Sequence, residues 1–147
     1  MLNSYLNESN IQIVNDIANW EKAIEMVCNP LIKNKKITDN YQREIIKTTK
    51  EIGPYYVLGP KIAMPHARPE DGVISNALSL LIVRNGINFN SQENDPVKVI
   101  LLLAAQDSDQ HINLITSISE FFCCEDDIKS ITTAINKIQV LNILNKY

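Results

Sequence analysis

Two nearly continuous apolar runs, Ala77–Val83 and Val97–Ala105, constrain the fold of this chain more than any other feature. Each has about the length of a strand, and an apolar run without polar alternation is typical of a strand that is covered on both faces. We therefore expect an α/β fold, a single domain with a mixed β-sheet flanked by helices. Shorter strands are predicted at Ile11–Val14, at Lys61–Met64 and, after an Asn85-Gly86 hairpin turn, at Ile87–Phe89.

Apolar residues at helical spacing predict five helices around these strands. The first is capped by Asp16 and ends before Asn29-Pro30, because proline interrupts a helix. The second is capped by Thr38 or Asp39 and ends at Gly53-Pro54. The third begins at Ser108 or Asp109 and carries Ile112, Ile115, Ile118 and Phe122 on its apolar side; the fourth runs from Asp126 to Ile135, and the last is capped by Asn136 and reaches Leu144.

The composition argues against several classes of protein. The 147 residues suffice for one domain, and a net charge of −3 disfavours nucleic acid as the main ligand, since phosphate backbones require a basic face. No apolar run approaches the roughly 20 residues that span a bilayer, and the first residues do not resemble a signal peptide, so we expect a cytoplasmic protein. Three cysteines do not suggest a disulfide framework, and Cys28 and Cys123-Cys124 are expected to pack in the core.

The most distinctive chemistry lies in the segment Gly59–Pro69, which reads GPKIAMPHARP. The prolines at 65 and 69 favour extended backbone before them, so His66 should lie in a stiff, extended stretch with Arg68 on the same side. An imidazole beside a guanidinium suits phosphate, because one ring nitrogen can attack a phosphoryl group while a hydrogen bond holds the other. The alternative is a structural histidine that is bonded to a backbone carbonyl.

Two further residues are candidates for holding phosphate. His111, the second of only two histidines, lies in the first turn of a predicted helix that follows a buried strand. Helix starts offer unpaired N–H groups, and ligands of open α/β sheets bind at the carboxyl ends of strands. An exposed histidine without function is the alternative there. Lys50 is a candidate for its charge alone.

Metal and nucleotide sites are not indicated. The two histidines with Asp107, Asp109 or a cysteine could in principle hold zinc, but the chain has no CxxC and no HExxH. There are four glycines without Walker-type spacing, which disfavours ATP as a phosphoryl donor. We expect no cofactor.

Residues Gly59–Val73, GPKIAMPHARPEDGV, closely resemble the active-site segment of the mannitol/fructose-type enzyme IIA domains of the phosphoenolpyruvate-dependent sugar phosphotransferase system. Thr38–Gly53 resembles the second helix of that family, and Leu101–Phe122, with His111 placed 45 residues after His66, resembles its strand-to-helix segment. The resemblance covers residues 1–147, with a core from about Leu6 to Leu144.

The resemblance implies a phosphocarrier with a mixed sheet flanked by helices. The phosphorylated protein HPr would donate its phosphoryl group to Nε2 of His66, and His66 would pass it to a cysteine of enzyme IIB, which serves a membrane enzyme IIC. His111 would help to hold the phosphate. No nucleic acid is implied as a partner.

One position departs from the family pattern. Mannitol-type members have an arginine sixteen residues before the active histidine, where this chain has Lys50, which keeps the charge but loses the bidentate fork. Together with the run His66–Gly72, this favours the stand-alone enzyme IIA proteins of the ascorbate branch, with Arg68 supplying what Lys50 does not. A regulatory enzyme IIA-like module, whose phosphorylation controls a partner protein, is the alternative function, and a metal-dependent hydrolase is a third.

Overall fold

A five-stranded mixed sheet organises the computed structural model, which describes residues 1–106 and 112–147. The spatial order of the strands is β1-β4-β5-β3-β2. The strands are β1 (Ile11–Val14), β2 (Val57–Gly59), β3 (Ile62–Ala63), β4 (Ala77–Ile87) and β5 (Val97–Ala104). The helices of the described residues are α1 (Trp20–Lys33), α2 (Asp39–Ile52), α3 (Ile112–Phe122), α4 (Glu125–Thr132) and α5 (Lys137–Leu144).

The pairing of the strands decides which loops meet. β4 runs antiparallel to β5 and parallel to β1, whereas β3 is parallel to β5 and antiparallel to β2. Since β3 and β5 point the same way, their carboxyl ends lie at one edge of the sheet. The segment that contains His66 leaves β3 at this edge.

Helices cover both faces of the sheet, as the two apolar runs predict. Leu80 and Ile82 of β4 pack in a core with α3, α4 and α5, while Leu81 and Val83 pack in a second core with α1 and α2. Alternate residues of the same strand are thus buried on opposite sides. The prediction of an α/β fold with a helix-flanked mixed sheet is confirmed.

The predicted bounds of the first helix are wrong at both ends. Asn19, not Asp16, caps α1, and the helix continues through Pro30 to Lys33. Proline has no N–H to donate to the carbonyl four residues earlier, which belongs to Met26. The side chain of Gln12 donates to that carbonyl at 2.7 Å, so the group is satisfied and the helix continues.

The predicted Asn85-Gly86 hairpin is also wrong, because both residues lie inside β4. The amide of Asn85 donates to the carbonyl of Asn15 at 3.0 Å, which holds the chain in line beyond the end of β1. Gly86 has a φ of 82°, and a Cβ there would lie 2.6 Å from Pro96, so glycine lets the strand pass this proline. Ile87 then pairs with Val97 instead of starting a new strand.

Several smaller predictions require correction. On α3, Ile112 is 64% and Ile115 is 40% exposed, and the buried positions are Leu114, Ile118 and Phe121. The fourth helix ends at Thr132 rather than at Ile135. Cys28 is buried as expected, but Cys123 is exposed and Cys124 is half-buried. Strand β2 was not predicted, and the caps proposed at Ser108 or Asp109 lie outside the described residues.

The second and last helices match their predictions. α2 has Thr38 as its N-cap and Gly53 as its C-cap, and the side chain of Asn136 accepts from the amide of Gln139 at the start of α5. Within residues 1–106 and 112–147, none of the helices combines the length and the apolar character needed to cross a membrane.

Candidate functional site

The backbone on both sides of His66 is tied to the sheet. The amide of Leu103, near the end of β5, donates to the carbonyl of Pro65 at 3.1 Å. The amide of Met64 donates to the carbonyl of Tyr56 at 2.9 Å. Pro65 is buried, whereas His66 is only half-buried. The imidazole is therefore held on a fixed base and is reachable from solvent.

A hydrogen bond of the ring decides which nitrogen can react. Nδ1 of His66 lies 2.8 Å from the carbonyl oxygen of Met64. A carbonyl oxygen only accepts, so Nδ1 carries the proton of the neutral ring and Nε2 has the lone pair. Among the described residues Nε2 has no hydrogen-bond partner. The arrangement combines the two readings of the sequence, a backbone-bonded histidine and a potential nucleophile.

Tyr41 of α2 connects the histidine segment to the central strand. Its hydroxyl donates to the carbonyl of Leu103 at 2.7 Å and accepts from the amide of Ala67 at 3.0 Å. Burial raises the pKa of Tyr41, so the hydroxyl stays protonated and keeps this donor. The backbone immediately before and after His66 is thus bonded, directly or through Tyr41, to the same residue of β5.

Tyr55, between α2 and β2, contacts His66 itself. Its hydroxyl donates to the carbonyl of His66 at 2.6 Å. Its ring meets the imidazole in a T-shaped arrangement, with 5.4 Å between the ring centroids and an interplanar angle of 86°. Burial, and to a smaller extent the charge of Asp71, raise the pKa of Tyr55.

His66 and Arg68 line the same cavity, which has a volume of about 350 Å³. The guanidinium of Arg68 is largely exposed, and its Nε lies 3.8 Å from carboxylate oxygens of both Glu70 and Asp71. These contacts are long and solvated, so they hold the guanidinium only weakly. The remaining lining residues are Glu44, Thr48, Tyr55, Ala67 and Asp71.

The short turn after His66 fixes the position of Arg68. Residues Pro69–Asp71 form a 3₁₀ helix, and the amide of Arg68 donates to the carboxylate of Asp71 at 3.0 Å. Gly72 ends this helix with a φ of 143°, and its carbonyl accepts from the amide of Thr38 at the start of α2 at 2.9 Å. The turn is thereby attached to the same helix that carries Tyr41.

The other two candidate residues are not part of this described arrangement. Lys50 lies in the last turn of α2 and pairs with Glu21 of α1 at 3.5 Å, and it is not among the residues that line the His66 cavity. On a helix, Lys50 points about 200° away from Thr48, which does line the cavity. His111 lies outside the described residues. Its role next to His66 stays a prediction.

Sequence reasoning missed Tyr41, Tyr55 and Asp71. The tyrosines contact residues 26 and 11 positions further along the chain, and no local pattern indicates such contacts. Asp71 had a weak signal, because the run Glu70-Asp71-Gly72 has the composition of a turn.

Two larger described cavities are lined by charged side chains, but neither is lined by a histidine. Residues 1–106 and 112–147 contain no group of three or more His, Cys, Asp or Glu side chains that could hold a metal ion. A larger groove of about 670 Å³ lies beside α1, lined by residues that include Lys22, Glu25 and Asp39, but His66 is not among them. The chemistry of the described chain therefore points to the smaller cavity.

Comparison with known proteins gives one consistent family. The family model described as phosphoenolpyruvate-dependent sugar phosphotransferase system, EIIA 2, matches residues 4–147. The mannitol-specific cryptic phosphotransferase enzyme IIA component of Escherichia coli is 34% identical over 145 residues, covering 99% of this chain and 98% of that protein. The ascorbate-specific EIIA component of the same organism is 27% identical over 144 residues, covering 97% and 94%.

Solved structures agree with the sequences. The solution structure of the Escherichia coli mannitol-specific cryptic enzyme IIA superposes with a TM-score of 0.90 at 35% identity, over 99% of both chains. Enzyme IIA of the mannitol system, solved in complex with phosphorylated enzyme IIB from Escherichia coli, superposes with a TM-score of 0.83 at 26% identity, over 97% of this chain and 98% of that one.

Proposed function

The chain belongs to the EIIA 2 family of the phosphoenolpyruvate-dependent sugar phosphotransferase system, and we propose that it is a phosphocarrier that uses His66 as its phosphoryl acceptor. The donor in this proposal is the phosphohistidine of HPr, and the acceptor is a cysteine of enzyme IIB. The observation that carries the proposal is the hydrogen bond from Nδ1 of His66 to the carbonyl of Met64, which leaves the lone pair on Nε2.

The first step is a transfer between two imidazoles. The Nε2 lone pair of His66 attacks the phosphorus, the N–P bond of the donor breaks, and the donor imidazole leaves with the electron pair. The proton on Nδ1 stays on its bond to Met64 and stabilises the charge that develops on the ring. In the second step a thiolate of enzyme IIB attacks the same phosphorus, and the Nε2–P bond breaks.

The charges around the cavity suit a carrier that must also release its phosphoryl group. Phosphorylation adds nearly two negative charges, and the weakly held guanidinium of Arg68 can turn toward them. Glu44 and Asp71 line the same cavity and oppose a tightly bound dianion. We assign Arg68 to the phosphate site and add His111 on the strength of the family resemblance. Lys50 is not assigned to this site, because it pairs with Glu21.

The proposed partners follow from the family. A related enzyme IIA, solved with phosphorylated enzyme IIB, supports an enzyme IIB as the acceptor for this chain. HPr as the donor, an enzyme IIC further along and a cytoplasmic location are part of the same proposal. The run His66–Gly72 favours ascorbate as the sugar, although the identity to the mannitol-specific relative, 34%, exceeds the 27% to the ascorbate-specific one.

The test is reconstitution with purified enzyme I, HPr and phosphoenolpyruvate. The chain should gain the mass of one phosphoryl group, which is lost in acid, and peptide mapping at alkaline pH should place it on His66. His66→Ala should abolish the gain, while His111→Ala should slow it. A full gain of mass in folded His66→Ala would show that another residue is the acceptor.

Adding candidate enzyme IIB proteins tests the second step and the sugar. We expect faster transfer to an ascorbate-type enzyme IIB than to a mannitol-type one. Equal or reversed rates would contradict the ascorbate proposal. Phosphorylation of His66 without transfer to any cysteine would favour the regulatory module.

A further inference from the structure

Tyr55 contacts His66 in two ways, through a hydrogen bond from its hydroxyl and through its ring. We infer that Tyr55 is a positioning residue that holds the imidazole of His66 with Nδ1 on Met64 and Nε2 toward the cavity. The effect on phosphoryl transfer rests on the proposed function, whereas the effect on the ring itself does not.

The hydroxyl fixes the backbone from which the imidazole projects. The Tyr55 hydroxyl donates to the carbonyl of His66 at 2.6 Å, and the amide of Leu103 donates to the preceding carbonyl, that of Pro65. Two consecutive carbonyls are thus held. A tyrosine hydroxyl is protonated at neutral pH, and burial raises the pKa of Tyr55 further, so Tyr55 remains a donor. Without this bond, the His66 carbonyl would turn to water and the peptide between 66 and 67 would be held on one side only, by Tyr41.

The ring of Tyr55 restricts the imidazole from the side. The T-shaped contact of 5.4 Å lies in the preferred range for aromatic pairs. A rotation that exchanges the two ring nitrogens would have to pass this ring. The alternative orientation would also give up the bond from Nδ1 to Met64.

Tyr55 is itself supported from the core. Its ring contacts Tyr56 in a second T-shaped arrangement, with centroids 5.1 Å apart. Tyr56 is completely buried, its hydroxyl lies 2.8 Å from that of Thr49, and its carbonyl accepts from Met64. Tyr56 thus holds Met64, whose carbonyl accepts the hydrogen bond from Nδ1 of His66, and Tyr55 holds His66 itself.

The exposure of Tyr55 agrees with a role in the site. The residue is 42% exposed and lines the same cavity as His66, so burial alone gives little reason for an aromatic residue at this position. Its hydroxyl bond and its ring contact to His66 are contacts that the other residues lining the cavity do not make.

The test compares Tyr55→Phe, which keeps the ring, with Tyr55→Leu, which removes ring and hydroxyl. Tyr147→Phe is the matched control, because it also removes a hydrogen-bonded tyrosine hydroxyl; its partner is the Asp127 carboxylate, and the residue packs in the core on the other face of the sheet. The first readout is the ¹⁵N NMR spectrum of the His66 ring in the unphosphorylated protein, which reports the tautomer. The second is the rate at which phospho-HPr transfers to each variant.

We expect the His66 ring to be protonated at Nδ1 both in the wild-type protein and in the Tyr147→Phe variant. Tyr55→Phe should lower the transfer rate about two- to tenfold, the factor that corresponds to one neutral hydrogen bond. Tyr55→Leu should lower it further and shift His66 toward an even mixture of tautomers. Wild-type tautomer and rate in Tyr55→Phe would overturn the role of the hydroxyl, and the same result in Tyr55→Leu would overturn the role of the ring. Should the wild-type protein accept no phosphoryl group, the proposed function fails, but the NMR comparison still decides what Tyr55 does to the ring.

Discussion

The hydroxyl of Tyr41 lies 2.7 Å from the carbonyl oxygen of Leu103, and this buried bond joins α2 to the end of the central strand. Tyr41→Phe removes the hydroxyl and leaves two backbone groups, the Leu103 carbonyl and the Ala67 amide, without that partner. We expect the free energy of unfolding to fall by about 1–3 kcal/mol, measured by urea denaturation.

Tyr5→Phe is the control for this change, because the described residues offer the Tyr5 hydroxyl no hydrogen-bond partner. Its free energy of unfolding should stay close to that of the wild type. Equal losses in the two variants would contradict the role assigned to Tyr41.

Arg68 should affect phosphoryl transfer more than stability. Its side chain is 78% exposed, and its Nε makes only 3.8 Å contacts with carboxylates, so Arg68→Ala should leave the free energy of unfolding nearly unchanged. The same variant should lower the rate of transfer from phospho-HPr by about tenfold or more, since a charge-assisted contact to the phosphoryl group is lost. Arg68→Lys should fall in between.

Lys146→Ala is a matched control, because it also removes an exposed cation that is paired with an aspartate, Asp127, away from His66. Rapid-quench mass spectrometry measures both rates. If Arg68→Ala and Lys146→Ala transfer at the same rate as the wild type, Arg68 is not part of the phosphate site.

Gly72 is predicted to be intolerant of a side chain. A Cβ at this position would lie 2.0 Å from Oγ1 of Thr38, and the φ of 143° is rarely adopted by other residues. Gly72→Ala should therefore destabilise the protein by about 2–4 kcal/mol.

Gly59→Ala provides the comparison, because its Cβ would meet only Ile62, at 3.8 Å. Its thermal midpoint should move little, corresponding to less than about 1 kcal/mol. A wild-type midpoint for Gly72→Ala would mean that the turn can shift away from α2.

The Asp127 carboxylate should make stability depend on pH at the acidic end. Hydrogen bonds from Lys146 and then from Tyr147 hold the pKa of Asp127 below its ordinary value. A carboxyl group with a lowered pKa stabilises the fold above its unfolded-state pKa, and this contribution is lost as the pH falls through the folded-state pKa. The difference in unfolding free energy between wild type and Asp127→Asn should be present at pH 7 and should shrink below about pH 4.

Asp126→Asn, which changes the neighbouring exposed carboxylate, is the comparison variant. Urea denaturation at several pH values measures both. A constant difference between wild type and Asp127→Asn from pH 7 to pH 3 would exclude the proposed linkage.

Local patterns were sufficient for most of the fold. The apolar runs of β4 and β5 report burial on both faces, and the Gly53-Pro54 stop of α2 depends only on neighbouring residues. The continuation of α1 through Pro30 was not predictable, because it depends on Gln12, a residue of another element. The same holds for Asn85-Gly86, whose turn preference is overridden by bonds to the segment after β1.

The candidate site was predictable in its centre and not in its surroundings. Two prolines next to a histidine are a local signal, and the structure places His66 and Arg68 at one cavity, as the extended geometry suggested. The tyrosines that hold the segment come from α2 and from the loop after it, and only the folded chain brings them to His66. Lys50 has the charge that the sequence pattern requires, but its position on the helix gives it a different partner.

The hydrogen bond that occupies Nδ1 of His66 leaves one ring nitrogen for phosphoryl transfer between two partner proteins. Under the proposed function, Nε2 of His66 both accepts and donates the phosphoryl group. HPr and enzyme IIB must therefore bind at the same place, one after the other. Kinetics with both present should then follow a ping-pong scheme, with each protein competing against the other for access.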